Sequence, residues 1–383
     1  MNNFSFFNPV QIHFGKQQIA KLAQIIPPHA RVLLTYGGGF IKNNGIYEQV
    51  TNALAHHEIY EFGGIESNPQ YDTLIKARDL AREKEITFLL AVGGGSVIDG
   101  TKFIAASIKQ PNDPWDILAK NEKINSVVPF GSVLTLPATG SEMNSFSVIT
   151  RGEEKLGFGG DPRLFPKFSI LDPEVTYSLP EKQLGNGIVD AFIHVLEQYL
   201  TNDINTPLQD RFAEGILLTL IDEAPKVIEL KDDYDSRANF MWAATNALNG
   251  LIGAGTVHDW ATHMIGHELT ALHGIDHART LALVLPSLLR FQKDHKNQKL
   301  LQYAHNVWGI KASTPEETIE NAITATEDFF NSVGVPTRLK AYNIGEAEIE
   351  KIVAAVSKHH PYGLSEHRNL KSQEIQSILK AAI

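Results

Sequence analysis

The 383-residue sequence contains no cysteine. Without thiols the chain can form no disulfide, use no thiolate nucleophile and bind no metal through a thiolate ligand. It also lacks an excess of basic residues: the formal net charge is −10, which argues against nucleic acid or an anionic membrane as the main partner. No run of about 18 apolar residues is present, and the N-terminus has no signal-peptide pattern. We therefore predict a cytoplasmic protein that acts on a small molecule.

Histidine, by contrast, is concentrated in one place. Five of the fifteen histidines lie between residues 258 and 277. His263 and His267 are spaced i,i+4 and so share a helical face, and His277 follows a break at Gly274, just after Asp276, a predicted N-cap. Imidazole is the commonest transition-metal ligand. This segment therefore predicts two or three ligands of one metal ion.

A second i,i+4 pair lies upstream. Asp190 and His194 flank an apolar stripe of a predicted helix, where a carboxylate and an imidazole are costly to bury unless they are hydrogen-bonded or metal-bound. Glu197 follows three residues after His194, and we interpret it as a solvated acid or as a partner of a ligand. One aspartate with three histidines is a donor set suited to Zn(II) or Fe(II).

The pattern of secondary structure changes near residue 180. Before it, buried strands predicted at 31–36, 87–92 and 132–136 alternate with helices such as 71–84, which favours a parallel α/β sheet. After it, helical patterns run to the C-terminus without a convincing strand, at 208–221, 236–251, 260–272, 280–292 and 315–332. We predict an α/β dinucleotide-binding domain at residues 1–180 and an all-helical metal-binding and substrate domain at residues 181–383.

Glycine follows two of the predicted strands, as Gly37-Gly38-Gly39 and Gly93-Gly94-Gly95, and a threonine-rich turn follows the third. A strand, a glycine turn and a helix N-terminus together form an anion-binding arrangement typical of nucleotide sites in α/β proteins. The second turn is neither a GxGxxG fingerprint, since Ile98 occupies the third position, nor a P-loop, since Thr101-Lys102 reverses the required order.

These residues closely resemble the iron-containing (group III) metal-dependent alcohol dehydrogenases, and within them the bacterial NADPH-dependent broad-specificity aldehyde reductases, which are butanol-dehydrogenase-like. The resemblance covers essentially the whole chain. Its marks are Phe14-Gly15, Glu66-Ser67-Asn68-Pro69, Gly93–Asp99, Ala138–Glu142, Leu171-Asp172-Pro173, Asp190-x3-His194 and His263-x3-His267-x9-His277.

The resemblance implies a dinucleotide-binding domain, a helical domain of the dehydroquinate synthase-like type, and a cleft that holds cofactor and metal. It assigns the metal ligands as Asp190, His194, His263 and His277, and it leaves His267 as a non-ligand close to the substrate. We therefore take His267 as the candidate for relaying a proton to the alkoxide. Family members are commonly dimers or larger homo-oligomers.

The resemblance also implies which residues bind NADP(H). The pyrophosphate is expected at Gly94, Gly95 and Ser96, the nicotinamide near Asp99, the cofactor cleft along Thr135, Leu136 and Thr139, and the ribose near Lys155. One position departs from close relatives: Phe40 replaces the serine that helps to hold the 2′-phosphate, although its ring can stack on adenine.

Two features nevertheless predict NADP(H) over NAD(H). No acid follows the strand at 31–36 before Glu48, so nothing in this segment repels a 2′-phosphate. Gly37, Gly38 and Gly39 can form an anion-binding nest, to which Lys42 adds positive charge. Introducing a carboxylate there, as in Gly39→Asp, is expected to shift selectivity toward NADH.

The predicted reaction is hydride transfer between NADP(H) and an aldehyde/primary alcohol pair, with a divalent ion as Lewis acid. Zinc is slightly favoured over iron because of its availability and its tolerance of a four-ligand N/O set. Two alternatives remain open: a metal-dependent hydrolase, and an NAD-using lyase similar to dehydroquinate synthase. A lyase of that kind needs a cluster of basic residues near the metal helices, and none is evident.

Overall fold

The computed structural model describes residues 1–383 and divides into two compact units. The α/β unit contains Phe7–Leu179 together with Lys231–Thr245. The helical unit contains Met1–Phe6, Pro180–Leu230 and Asn246–Ile383. An α/β unit plus an all-helical unit is the fold class predicted from the sequence, and that prediction is confirmed.

The α/β unit is built on a six-stranded sheet with the order β1-β8-β5-β4-β2-β3, in which every pair is parallel. A separate antiparallel hairpin pairs β6 with β7. The strands are β1 Gln11–Phe14, β2 Arg31–Tyr36, β3 Glu58–Phe62, β4 Phe88–Gly94, β5 Phe130–Leu136, β6 Ser147–Arg151, β7 Glu154–Phe158 and β8 Phe168–Leu171.

Fourteen α-helices complete the chain, and six of them, α1 to α5 and α8, lie wholly or mainly in the α/β unit. The helices are α1 Leu22–Ile25, α2 Ile46–Ala53, α3 Tyr71–Glu83, α4 Gly95–Ser107, α5 Trp115–Ala119, α6 Glu181–Tyr199, α7 Pro207–Glu229, α8 Tyr234–Ala247, α9 Ala261–His273, α10 His277–Gln292, α11 Asn297–Asn306, α12 Pro315–Ser332, α13 Glu346–His359 and α14 Ser372–Ala381. No helix is both long enough and apolar enough to cross a membrane.

The central strands are apolar without a break because both faces of the sheet are covered. Leu33 and Leu89 belong to one buried cluster with Phe103 of α4. Their neighbours Leu34 and Leu90 belong to the cluster on the other face. This two-sided burial explains why the strands predicted at 31–36, 87–92 and 132–136 were recognisable, whereas the short β1, β3, β6, β7 and β8 were not predicted.

The sheet order creates a topological switch point between β2 and β4. From β2 the chain continues to β3 at one edge, whereas from β4 it continues to β5 in the opposite direction. In open parallel sheets, ligands bind in the crevice outside the carboxyl ends of the strands at such a point. Both glycine turns, at residues 37–39 and 93–95, lie at this position in the α/β unit.

The position of helix α8 does not follow the predicted division of the chain at residue 180. It follows that position in sequence, yet most of it belongs to the α/β unit. Met241 is part of the sheet's core cluster, and the buried Arg237 donates to the carbonyl of Thr176 at 3.0 Å. Periodicity predicts that this segment is helical but does not say which core it packs against. The 1–180 and 181–383 division stays a prediction.

Candidate metal and cofactor sites

Helix α6 positions the first two predicted metal ligands. Asp190 and His194 are one turn apart and both buried, with 3.7 Å between Asp190 Oδ1 and His194 Nδ1. Burial lowers the pKa of His194 to about 4, although the Asp190 carboxylate opposes this shift. The ring is therefore neutral at neutral pH, as a metal ligand must be.

Helix α9 positions His263 against the same ring. The Nε2 atoms of His194 and His263 are 3.1 Å apart. On its other side His263 donates from Nδ1 to the buried carboxylate of Glu197, whose second oxygen accepts the backbone N–H of Thr262 at 2.6 Å. This pairing leaves the Nε2 lone pair of His263 for a metal and fixes the orientation of the ring.

Glu197 is buried and pairs with His263, a candidate ligand, so it is not the solvated acid that was one of its two sequence interpretations. Burial, together with the nearby carboxylate of Asp259, raises the pKa of Glu197, while hydrogen bonds from Thr262 and His263 act in the opposite direction. The spacing from His194 could not reveal this role, because the partner, His263, is 66 residues away.

The fourth predicted ligand begins helix α10. His277 Nε2 is 3.9 Å from Asp190 Oδ1, and one ligand atom each from Asp190, His263 and His277 lie within 4.8 Å of one another. His267 lies one turn beyond His263 on α9, with its ring centroid 5.1 Å from that of His277. Neither His267 nor His194 is part of that three-residue group, so the group does not separate ligands from non-ligands, and His267 as a neighbouring non-ligand stays a prediction from the family resemblance.

The predicted cap of α10 was wrong in one respect. Asp276 does precede the helix, but its side chain makes no capping hydrogen bond. Its carboxylate instead accepts from Asn186 at 3.2 Å and pairs with Lys182 at 2.8 Å. Asp276 therefore links the start of α10 to α6, the helix that carries Asp190 and His194.

These residues fit one divalent ion. Two bonds of about 2.0–2.1 Å at a tetrahedral angle place ligand nitrogens about 3.4 Å apart, close to the 3.1 Å between His194 and His263. Three neutral imidazoles and one carboxylate are the N/O donors that iron(II) and zinc(II) accept. Buried imidazoles with converging nitrogens are costly unless a cation or a proton lies between them.

We expect Glu197→Gln to weaken metal binding by about 10- to 100-fold, because the amide cannot hold His263 as a carboxylate does. The measurement is a competition titration against a chelator with a known metal affinity. Glu268→Gln is the matched control, since Glu268 is a buried glutamate that accepts a hydrogen bond from a different histidine, His359, at 2.7 Å. Equal affinities in the two variants would contradict the role of Glu197.

The second glycine turn is shorter than predicted. Strand β4 extends through Gly94, and helix α4 begins at Gly95. A Cβ at Gly93 would lie 2.5 Å from Val97, and one at Gly95 would lie 2.3 Å from the Thr139 hydroxyl. Close packing of α4 on β4 and on the turn after β5 therefore accounts for these two glycines, and the turn still presents the N-terminus of α4.

The first glycine turn is open. A Cβ at Gly38 or Gly39 would meet nothing within 4 Å. Position 39 requires glycine because its φ is +88°, which other residues rarely adopt. Gly38 is exposed and has neither a positive φ nor a close neighbour. The space beside Gly38 is therefore available to a ligand, and this fits a cofactor phosphate at the switch point. Phe40 follows with 47% of its surface exposed.

Several residues predicted to bind the cofactor form hydrogen bonds with other residues of the protein. Ser96 donates to the carbonyl of Ser67. Asp99 accepts from the Ser141 hydroxyl at 2.5 Å and from the backbone N–H of Val148 at 2.9 Å. Burial raises the pKa of Asp99, opposed chiefly by Lys102. Asp99 thereby joins α4 to the turn after β5 and to β6, where the family resemblance predicts the nicotinamide.

The remaining predicted residues lie on β5, on the turn after it and on the hairpin. Thr135 and Leu136 end β5, and the Cβ of Leu136 would be 3.0 Å from a Cβ at Gly94. Thr139 accepts from the backbone N–H of Ser141 at 3.2 Å. Lys155, on β7, donates to Asn68 at 3.1 Å, so the residue expected near the ribose contacts the Glu66–Pro69 motif.

Sequence reasoning did not identify Lys102 as part of this site. Its side chain is fully buried and donates to Ser141 at 2.8 Å, to Asn144 at 3.0 Å and to the carbonyl of Phe146 at 2.7 Å. Burial lowers the pKa of Lys102 to about 8, opposed by Asp99. The ammonium stabilises the turn after β5 and does not face a phosphate, which agrees with the rejection of a P-loop.

Both halves of the chain match one protein family. Residues 9–173 match the iron-containing alcohol dehydrogenases, and residues 186–383 match the C-terminal domain of the Fe-containing alcohol dehydrogenase family. The chain belongs to this family. The family's description favours iron, so the expectation of zinc is not supported.

Individual relatives resemble the chain over its full length. It is 52% identical to the NADPH-dependent aldehyde reductase YqhD of Escherichia coli (strain K12), over 100% of both chains. The crystal structure of that Escherichia coli K-12 protein matches with a TM-score of 0.98 and 51% identity, covering 100% of this chain and 99% of the other. A probable NADH-dependent butanol dehydrogenase of Bacillus subtilis (strain 168) is 41% identical over 100% of both chains.

Proposed function

We propose that this protein is a metal-dependent oxidoreductase that reduces aldehydes to primary alcohols with NADPH, with broad substrate specificity. The observation that carries the proposal is the convergence of Asp190, His194, His263 and His277 in a family of iron-containing alcohol dehydrogenases. The 52% identity to an NADPH-dependent aldehyde reductase supports the substrate class and the cofactor. We propose iron(II) as the ion.

When bound, a divalent ion would polarise the carbonyl oxygen and the reduced nicotinamide would supply hydride. The protein's part is to hold the reactants and charges in place. Asp190 contributes one negative charge to an otherwise neutral donor set, and Glu197 holds His263 in the tautomer that presents Nε2. The N-terminus of α4 and the open turn at Gly38 are suited to bind the cofactor's phosphates.

We further propose that His267 gives a proton to the former carbonyl oxygen of the substrate, which becomes the hydroxyl of the alcohol. Its ring lies 5.1 Å from that of His277 and 6.2 Å from that of His263, measured between centroids, and imidazole exchanges protons near neutral pH. A homodimer or a larger homo-oligomer, and a cytoplasmic location, stay predictions from the sequence and its resemblance.

The test is an assay of NADPH and NADH oxidation over a panel of aliphatic and aromatic aldehydes, with metal analysis of the same sample. We expect several aldehydes to be reduced and kcat/KM to be higher with NADPH. A protein that oxidises neither cofactor with any aldehyde, while carrying one ion per chain, would favour the hydrolase or lyase alternative.

The preference for NADPH over NADH can be tested by substitution, and the structure favours a position other than Gly39 for that substitution. Because Gly39 has a φ of +88°, an aspartate there would also strain the turn. Gly38→Asp avoids that strain and places a carboxylate beside the expected 2′-phosphate. We expect the NADPH-to-NADH ratio of kcat/KM to fall by about 30- to 150-fold, equivalent to about 2–3 kcal/mol of screened repulsion.

The matched control is Gly38→Ala, which adds a side chain without charge. We expect its ratio to stay close to that of the unmodified protein. If both variants changed the ratio equally, sterics would explain the effect and the 2′-phosphate would not lie beside Gly38.

A further inference from the structure

Four side chains form a polar cluster at the carboxyl ends of β2 and β3. Lys42 Nζ is 2.9 Å from Glu61 Oε2, and the same oxygen accepts the Tyr36 hydroxyl at 3.1 Å. The Tyr47 hydroxyl donates to the other oxygen of Glu61. Lys42 Nζ also lies 5.1 Å and 4.7 Å from the ring centroids of Tyr36 and Tyr47. We call Tyr36, Lys42, Tyr47 and Glu61 the Lys42–Glu61 cluster.

The backbone fixes this cluster beside the open glycine turn. Glu61 pairs in register with Leu34 of the adjacent strand β2. The Tyr36 ring packs against Gly63, where a Cβ would lie 2.4 Å from the ring. Lys42 ends the short 3-10 helix that directly follows Gly37–Gly39. The cluster and Gly38 therefore share the edge of the sheet at which the switch point lies.

The charges of the cluster cancel within it. Burial acts to raise the pKa of Glu61, but hydrogen bonds from Tyr47, Lys42 and Tyr36 outweigh burial and lower the pKa. Hydrogen bonds with Tyr36 and Glu61 raise the pKa of Lys42. At neutral pH an ammonium thus faces a carboxylate, and the pair presents much less positive potential to a nearby phosphate than Lys42 alone would.

We propose that Glu61 is a specificity-determining residue that limits the preference for NADP(H) by competing with the 2′-phosphate for Lys42. Sequence inspection found no acid in the segment after β2, but Glu61 reaches the same place from β3. A carboxylate close to the 2′ position is the feature by which dinucleotide enzymes select NAD, and here Lys42 offsets it. The inference rests on the proposed use of NADP(H).

The test measures binding of 2′,5′-ADP and 5′-AMP by calorimetry, so it does not depend on turnover. We expect Glu61→Gln to tighten 2′,5′-ADP binding about fivefold and to leave 5′-AMP binding unchanged, because the released ammonium is exposed and screened. Lys42→Met should weaken 2′,5′-ADP binding. In the Lys42→Met background, Glu61→Gln should tighten binding much less than it does in the unmodified protein, since Glu61 acts mainly through Lys42.

Glu58→Gln is the matched control, since Glu58 lies on the same strand and also accepts a tyrosine hydroxyl, that of Tyr60. We expect it to bind 2′,5′-ADP as the unmodified protein does. Unchanged or weaker binding in Glu61→Gln would overturn the proposal, and so would equal tightening by Glu61→Gln with and without Lys42, which would indicate direct repulsion. If the unmodified protein bound 2′,5′-ADP no better than 5′-AMP, the proposed NADP(H) preference would fail as well.

Discussion

Replacing His263 with alanine is expected to remove most of the bound metal and to lower aldehyde reduction by about 10³-fold or more. The imidazole is one of the four proposed ligands, and the three that remain would no longer close the site. Without the ion, the reaction loses several kcal/mol of stabilisation of the developing negative charge. Metal content per chain and kcat/KM with NADPH, measured on one preparation, check both expectations.

His273→Ala is the control for this experiment. His273 ends the same helix, α9, but is exposed and lies outside the converging group. We expect full metal content and unchanged activity in that variant. If His263→Ala also retained one ion per chain and normal turnover, the assignment of the metal site would be wrong.

Replacing His267 with phenylalanine is expected to lower kcat by about 10²- to 10⁴-fold, the usual contribution of a positioned proton donor. The side chain is buried, and phenylalanine preserves a ring of similar size without a titrating group. Metal content should be unchanged, because the family resemblance places His267 beside the metal ligands and not among them. The pH profile of kcat should lose the dependence that the imidazole confers.

This combination separates proton transfer from metal binding. Loss of the metal together with activity would make His267 a ligand and would contradict the proposed role. Unchanged kcat with normal metal content would show that the proton comes from another group.

The sequence could predict which candidate metal residues share a helical face because helix geometry is local. Asp190 with His194 and His263 with His267 are pairs spaced by one turn, so each pair is bound to share a helical face. The choice between His263 and His267 as ligand came from the family resemblance, since spacing treats them alike. Glu197 shows the limit of local reasoning, because its partner on α9 is distant in sequence and is set by packing.

The α/β unit shows the same contrast. The strand at 31–36 has the predicted bounds because both faces are apolar. Helix α8 was predicted from its periodicity, but its place in the α/β unit depends on where Met241 packs. Similarly, the absence of an acid after β2 was a correct observation about one segment, yet Glu61 approaches Lys42 from the neighbouring strand.

The most direct test is to titrate iron(II) anaerobically into metal-free protein while recording NADPH oxidation with the panel of aliphatic and aromatic aldehydes. We predict negligible activity without metal, a rise in proportion to bound iron, and saturation at one ion per chain. Full activity in the metal-free protein, or no NADPH oxidation at one iron per chain, would contradict the proposal of a metal-dependent aldehyde reductase.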